Sequence, residues 1–497
     1  MQSKDAGPAT GAGAGNFPIA IIGAGFAGIG TAIQLKKAGI ESFTMFERAG
    51  EIGGTWRDNT YPGAACDVPS HVYSFSFEQK ADWTRAFAES WEIEKYLLDL
   101  VGKWKLREHL HLNTGIVDAR FDESNGTWAL RTNHGETHTA RVVISGVGGL
   151  VDPAWPALEG LETFAGARFH TARWDHDYPL AGKRVGVIGT GASAIQVVPA
   201  IAPQVGRLKV FQRTPAWVMP KLDHVYSDRE KDFYRRHPRV LDLSRKLQYW
   251  LSELFGPLVF LDNERLSRIA EAQSLRHLNN SVSNPELRRK LRPSFQFGCK
   301  RVLISNDYWR TFERDNVDLV TDGIERITPA GILTRDGVEH ELDAIVCATG
   351  FALGLARAPF PVFGRGGKSL DDVWSRGAEA YKGMTVSGFP NWFILMGPNT
   401  GPGHTSVLIY TEAQIAHALQ AIDKLRRERL RFVDIRQEVQ DAYNADIQRR
   451  MKKMVWSSGC NSWYLGDDGS NHALYPGFAF RYVLSARTFN PGEYEVA

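Results

Sequence analysis

Ile19-Ala-Ile-Ile-Gly23-Ala-Gly25-Phe-Ala-Gly28 reads as a short apolar strand running into a glycine-rich turn. Each glycine has a physical task. Gly23 permits the tight turn, Gly25 lets backbone approach a pyrophosphate, and Gly28 lets the next helix pack closely on the strand. That helix, ending near Gly39, aims its unpaired N–H groups and positive dipole end at the phosphates. A second strand, Phe43-Thr-Met-Phe46, runs to Glu47, whose carboxylate can accept both ribose hydroxyls of an adenosine. The turn alone is weak evidence. Strand, turn, helix, strand and terminal acid in this order are strong evidence for a dinucleotide site.

The same arrangement recurs downstream. Arg184-Val-Gly-Val-Ile188 leads into Gly189-Thr190-Gly191-Ala-Ser193-Ala194, with alanine in the third glycine position, a tolerated variant. The next strand, Leu208-Lys-Val-Phe211, ends at Arg213-Thr214. Glu47 lies 24 residues after Gly23, and Arg213 lies 24 after Gly189. One position therefore holds an acid in the first unit and a base in the second. An acid repels a 2′-phosphate, whereas a guanidinium pairs with it through two prongs. The first site is expected to hold FAD and the second NADPH. Two such sites in one chain imply hydride transfer between the cofactors.

Between the two units lies Phe164-Ala-Gly166-Ala-Arg-Phe-His170-Thr-Ala-Arg-Trp174-Asp175. This FxGxxxHxxxWD string resembles the signature of the type I Baeyer–Villiger monooxygenases, flavoproteins that use NADPH and oxygen to turn ketones into esters or lactones. The resemblance extends over about residues 17 to 485. Gly53-Gly54-Thr55-Trp56 and Tyr61-Pro-Gly-Ala-Ala-Cys66-Asp67 are similar to the family's flavin loop, and Tyr73 matches a flavin-contacting tyrosine. Phe297-Gly-Cys-Lys300-Arg301 resembles its FGxKR segment. Ser462-Trp463-Tyr464 resembles an element lining the cofactor cleft. The chain departs from the family at Arg57-Asp-Asn-Thr60 and in the glycine-rich loop Asn399 to Val407, which aligns with substrate-pocket residues.

By this resemblance Lys300 helps bind the 2′-phosphate of NADPH, and Arg301 sits over the flavin with Asp67 holding it. The implied reaction inserts one oxygen atom from O2 beside a ketone carbonyl, through an anionic flavin peroxide. Such an anion needs a permanent positive charge in a site that excludes water, and arginine supplies one at any working pH. The alternative is a related flavin monooxygenase that oxidises a sulfide sulfur or an amine nitrogen and has less need of the Arg–Asp pair. A non-catalytic flavoprotein predicts bound FAD without product. His170 is expected to serve at a hinge rather than in proton transfer, because its string precedes the second nucleotide strand instead of standing at a carboxyl end, where ligands bind.

The 497 residues suffice for two or three domains. The fold class expected is α/β, with two Rossmann-like dinucleotide-binding domains and an inserted helical subdomain. Residues 16–150 and 351–497 are assigned to the FAD domain, 151–226 and 293–350 to the NADPH domain, 227–292 to the insertion and 1–15 to a disordered tail. The insertion has helical spacing, and its charges are read as solvated faces. A net charge of +3 from 59 basic and 56 acidic residues gives no reason to expect nucleic acid or membrane as a partner. The partners expected are a small-molecule ketone and O2; the oligomeric state stays open and is compatible with a monomer. Four cysteines without a CxxC pattern argue against a metal site or a dithiol reductase and suggest reduced thiols in a cytoplasmic protein.

Overall fold

The computed structural model describes residues 17–352, 358–459, 464–466 and 469–497. The tail 1–15 and Trp463 lie outside the described residues. Two five-stranded parallel sheets organise the chain. In the first, the order is Trp392–Ile394, Val142–Ser145, Ile19–Ile22, Phe43–Phe46 and Leu110–His111. Ile19–Ile22 and Val142–Ser145 are buried at every position, as strands covered on both faces must be. Helix Phe26–Lys37 crosses one face and presents Ile29, Ile33 and Leu35 to the core. A strand from late in the chain, Trp392–Ile394, thus completes a sheet begun near residue 19.

The second sheet runs Val317–Val320, Arg207–Phe211, Arg184–Ile188, Ala344–Cys347 and Ala167–His170. Its apolar core joins Val185, Val187, Val197, Val210 and Val346. The helices Asp228–Arg236, Pro238–Val259, Glu264–Ser281 and Pro285–Leu291 form the insertion. The fold is therefore α/β with two Rossmann-like sheets and inserted helices.

Three expectations need correction. Residues Ala167–His170 of the FxGxxxHxxxWD string form the edge strand of the second sheet itself, and His170 stands at its carboxyl end, in register with Cys347. The sequence places the string before the nucleotide strand, but a parallel sheet brings it alongside. The insertion's charges are not all solvated, since Arg245 and Glu253 are buried. Cys66 and Cys347 are buried free thiols, whereas Cys299 is disulfide-bonded and is no thiol. Among the described residues, no helix is long and apolar enough to cross a membrane.

Candidate functional site

At the first turn, Gly23 adopts φ +97°, and a Cβ there would stand 2.6 Å from the Gly146 carbonyl oxygen. A Cβ on Gly28 would meet the Gly23 carbonyl oxygen at 1.9 Å, so only glycine allows helix and turn to approach this closely. Gly25 is different: its nearest neighbour would be Gly54 Cα at 3.8 Å, which leaves room above the turn. The Gly53 N–H donates to the Ala24 carbonyl (3.0 Å), folding the Gly53–Trp56 stretch onto the turn. Thr55 and Trp56 open the short helix Thr55–Asp58 there. Trp56 Nε1 donates to the Tyr73 hydroxyl (3.1 Å), and Tyr73 packs edge-on against Phe26. Glu47 is buried and accepts from the Ala24 N–H (2.9 Å) and the Ala49 N–H (3.0 Å). Arg57 pairs with it at 3.2 Å. Sequence reasoning noted Arg57 only as a departure from the family; its neutralising role was missed.

The second turn follows the same plan. Gly189 has φ +122°, and a Cβ there would lie 2.4 Å from the Ala348 carbonyl oxygen, whereas a Cβ on Gly191 would meet nothing within 4 Å. Ser193 leads into helix Ala194–Ile201. Thr190 Oγ1 donates to the Thr214 carbonyl (2.7 Å), tying the turn to the strand end that bears Arg213. Arg213 is exposed. Burial and the nearby Arg213 charge both push the Lys300 pKa down, so the fold gathers two cations at one place. That arrangement is costly unless an anion joins it.

Asp67 and Arg301 form an ion pair although 234 residues separate them. The Arg301 side chain is 44% exposed, and the adjoining Asp67 carboxylate raises its pKa, which keeps the guanidinium charged. Tyr464 lies near this pair; burial pushes its hydroxyl up to about 12, with the Arg301 charge opposing. Burial also raises the Cys66 thiol, which removes it as a nucleophile.

The loop carrying Asp67 is held from the other sheet. Gln196 accepts from the Tyr61 hydroxyl (2.8 Å) and donates to the Ala65 carbonyl (2.9 Å). Gly63, at φ +82°, would place a Cβ 2.7 Å from the Gln196 carbonyl oxygen. Burial drives the Tyr61 hydroxyl up to about 12, so it remains a donor beside Ser193. Gln196 was missed as well; its signal is a polar side chain in the otherwise apolar stretch Ala194–Ile201.

The residues of the fingerprint string divide by role. Phe164 is buried, and a Cβ on Gly166 would strike the Asp343 carbonyl oxygen at 2.5 Å. His170 is fully buried; burial lowers its pKa to about 4, and its ring lies near Trp155 and Phe351. Trp174 packs edge-on against Phe169, and exposed Asp175 accepts from the Asp177 N–H (3.0 Å). Arg173 reaches Asp58 (3.5 Å) and His176 meets the Thr60 hydroxyl (2.8 Å), so this segment grips the end of the helix Thr55–Asp58 and the residues that follow it. A third contact joins the insertion to the glycine-rich loop: His404 Nε2 meets Glu253 at 3.0 Å, both buried.

The chain is similar to known proteins over nearly its whole length. Residues 17–364 match the family model described as flavin-binding monooxygenase-like. A Baeyer–Villiger monooxygenase of Pseudomonas aeruginosa is 46% identical over 98% of this chain and 93% of its own length. The structure of OTEMO in complex with FAD and NADP superposes with a TM-score of 0.86 at 27% identity, covering 97% of this chain and 99% of that one. Cyclohexanone monooxygenase from Rhodococcus sp. Phi1, bound to NADP+, gives 0.86 at 28% identity, covering 96% and 98%.

Proposed function

The chain belongs to the flavin-binding monooxygenase-like family, among its Baeyer–Villiger members, and from that premise we propose how its residues divide the work. The enzyme converts a ketone, O2, NADPH and a proton into an ester or lactone, NADP+ and water. FAD, reduced by NADPH, supplies the electrons that activate oxygen. The open space above Gly25 and Gly191 fits two pyrophosphates. By the family resemblance Thr55, Trp56 and Tyr73 hold the flavin end of FAD, and Glu47, braced by Arg57, takes the adenosine ribose; the Trp56–Tyr73 hydrogen bond and the Arg57–Glu47 pair support this reading. Arg213 and Lys300 are the cation pair for a 2′-phosphate, with Thr190, Ser193 and Thr214 fixing the turn beneath.

The observation that carries the catalytic reading is the Asp67–Arg301 pair, formed across the two units. A guanidinium that stays charged stabilises negative charge building on oxygen, and fixed charge is worth most where water is excluded. Asp67 orients it. His170, neutral and buried, acts as a positioning residue between the units rather than as a proton carrier.

The test is Arg301→Ala. Flavin reduction by NADPH under anaerobic conditions should persist, whereas ester formed per NADPH consumed should fall by roughly 10² or more, with hydrogen peroxide released instead. Undiminished ester formation would remove Arg301 from this role. Retained sulfide oxidation in the same variant would show that the two chemistries part at this residue.

A further inference from the structure

The helix Pro238–Val259 is built inside out. Its inner face carries Leu241, Arg245 and Glu253, all buried. Arg245 donates to the Ser74 carbonyl (3.3 Å), and Glu253 accepts from the Phe480 N–H (3.1 Å) besides meeting His404. Its outer face carries Leu243, Leu247, Trp250 and Leu254, each between 53% and 65% exposed, extended by Val240 and Leu251. A helix on a monomer's surface ordinarily turns its apolar stripe inward and its charges outward. A large exposed apolar stripe marks a contact surface.

The spacing identifies what covers it. From Val240 through Leu243, Leu247 and Trp250 to Leu254, the steps are three, four, three and four residues. This is the heptad seam that a second helix fills. A lipid surface selects a broad apolar face with a basic polar face. Here the neighbouring charges are of both signs and paired, as in Lys246–Asp242 and Arg235–Asp232. We propose that the stripe is the two-fold interface of a homodimer, in which the helices Pro238–Val259 of two copies pack antiparallel.

The stripe is self-complementary about an axis between Leu247 and Trp250. Leu247 of one protomer then meets Trp250 of its partner, and Leu243 of one protomer meets Leu254 of its partner. Trp250 also lies 6.0 Å from Phe480, whose helix adds the exposed Leu484 to the patch. At roughly 100 Å² apiece, the seven side chains offer about 700 Å² per protomer. That approaches the ~800 Å² per partner of a stable interface.

The experiment is sedimentation velocity on the FAD-loaded full chain across micromolar concentrations. The unmodified protein should sediment as a dimer. Leu247→Glu with Trp250→Glu should shift it to monomer, raising the dissociation constant at least ~100-fold, with flavin content and ketone oxidation retained. A protein that stays monomeric throughout, or one that pellets with anionic phosphatidylserine vesicles instead of self-associating, would overturn the proposal. So would a double variant that dimerises as tightly as its parent. A separate variant avoids new charges: Leu243→Cys with Leu254→Cys should form a covalent dimer on mild oxidation, and failure to cross-link while the protein dimerises would exclude the antiparallel pairing.

Discussion

Arg213 and Lys300 carry the proposed choice of ligand in the second unit. The first unit has Glu47 at the strand end and the second has Arg213, and Lys300 joins Arg213 closely enough to feel its charge. Removing one arm of this pair, as in Arg213→Ala, should cut the kcat/KM preference for NADPH over NADH by roughly 10- to 100-fold, the worth of a charge-assisted hydrogen bond. Steady-state rates with both cofactors check this, and an unchanged ratio would mean that Lys300 alone reads the phosphate. Local spacing was enough to locate the two glycine turns and to single out Glu47 and Arg213 at the following strand ends. Asp67 and Arg301 were legible only through the resemblance, because nothing local links positions 234 residues apart. Arg57 and Gln196 escaped notice because their partners, a carboxylate and a loop, become visible only in three dimensions.

Single elements were legible in type but not in orientation. Helical spacing identified the insertion, yet the Pro238–Val259 helix directs Arg245 and Glu253 inward. Periodicity says which residues share a face, and it cannot say which face meets the core. Glu253 is the fastening point of this helix, since it satisfies both His404 and the Phe480 N–H. Glu253→Ala would leave these two buried groups unpaired, at about 1–3 kcal/mol each. The expected result is a thermal midpoint several degrees lower and a raised KM for ketone, because the Asn399–Ser406 loop loses its support. Glu253→Gln, which keeps an acceptor, should recover most of the midpoint. A Glu253→Ala protein as stable as its parent would show that the pair contributes nothing. The edge strand Ala167–His170 is the opposite case: the motif was recognised, but its place in the sheet was not, because sheet order is set by long-range pairing.

Across the described residues, His71, His170 and His417 are buried imidazoles whose protonation is opposed by the fold. Burial lowers His71, His170 and His417 to about 4 each. An unfolded chain protonates them near 6.5, so below that pH it binds protons that the folded protein refuses. Their penalty is absent above pH 6.5 and grows as the pH falls towards 4, reaching on the order of 2 kcal/mol for each at pH 5. Thermal midpoints should therefore drop steadily from pH 7 to pH 5. His417→Gln, which can still donate to the Ala486 carbonyl and accept from the Tyr494 hydroxyl, should flatten the slope. A midpoint independent of pH across that range would show that these side chains take up protons without unfolding.

The grip of Gln196 on the Tyr61–Asp67 loop has a consequence for heredity and engineering. The socket and the plug are encoded far apart, yet each is shaped to the other: the Gln196 amide accepts from the Tyr61 hydroxyl and donates to the Ala65 carbonyl. Recombination between relatives that places a crossover between these segments exchanges one without the other. The halves then fold but meet badly, and Asp67 swings off Arg301. Productive breakpoints are those that carry residues 61–67 and Gln196 from the same parent, so this seam is inherited as a block.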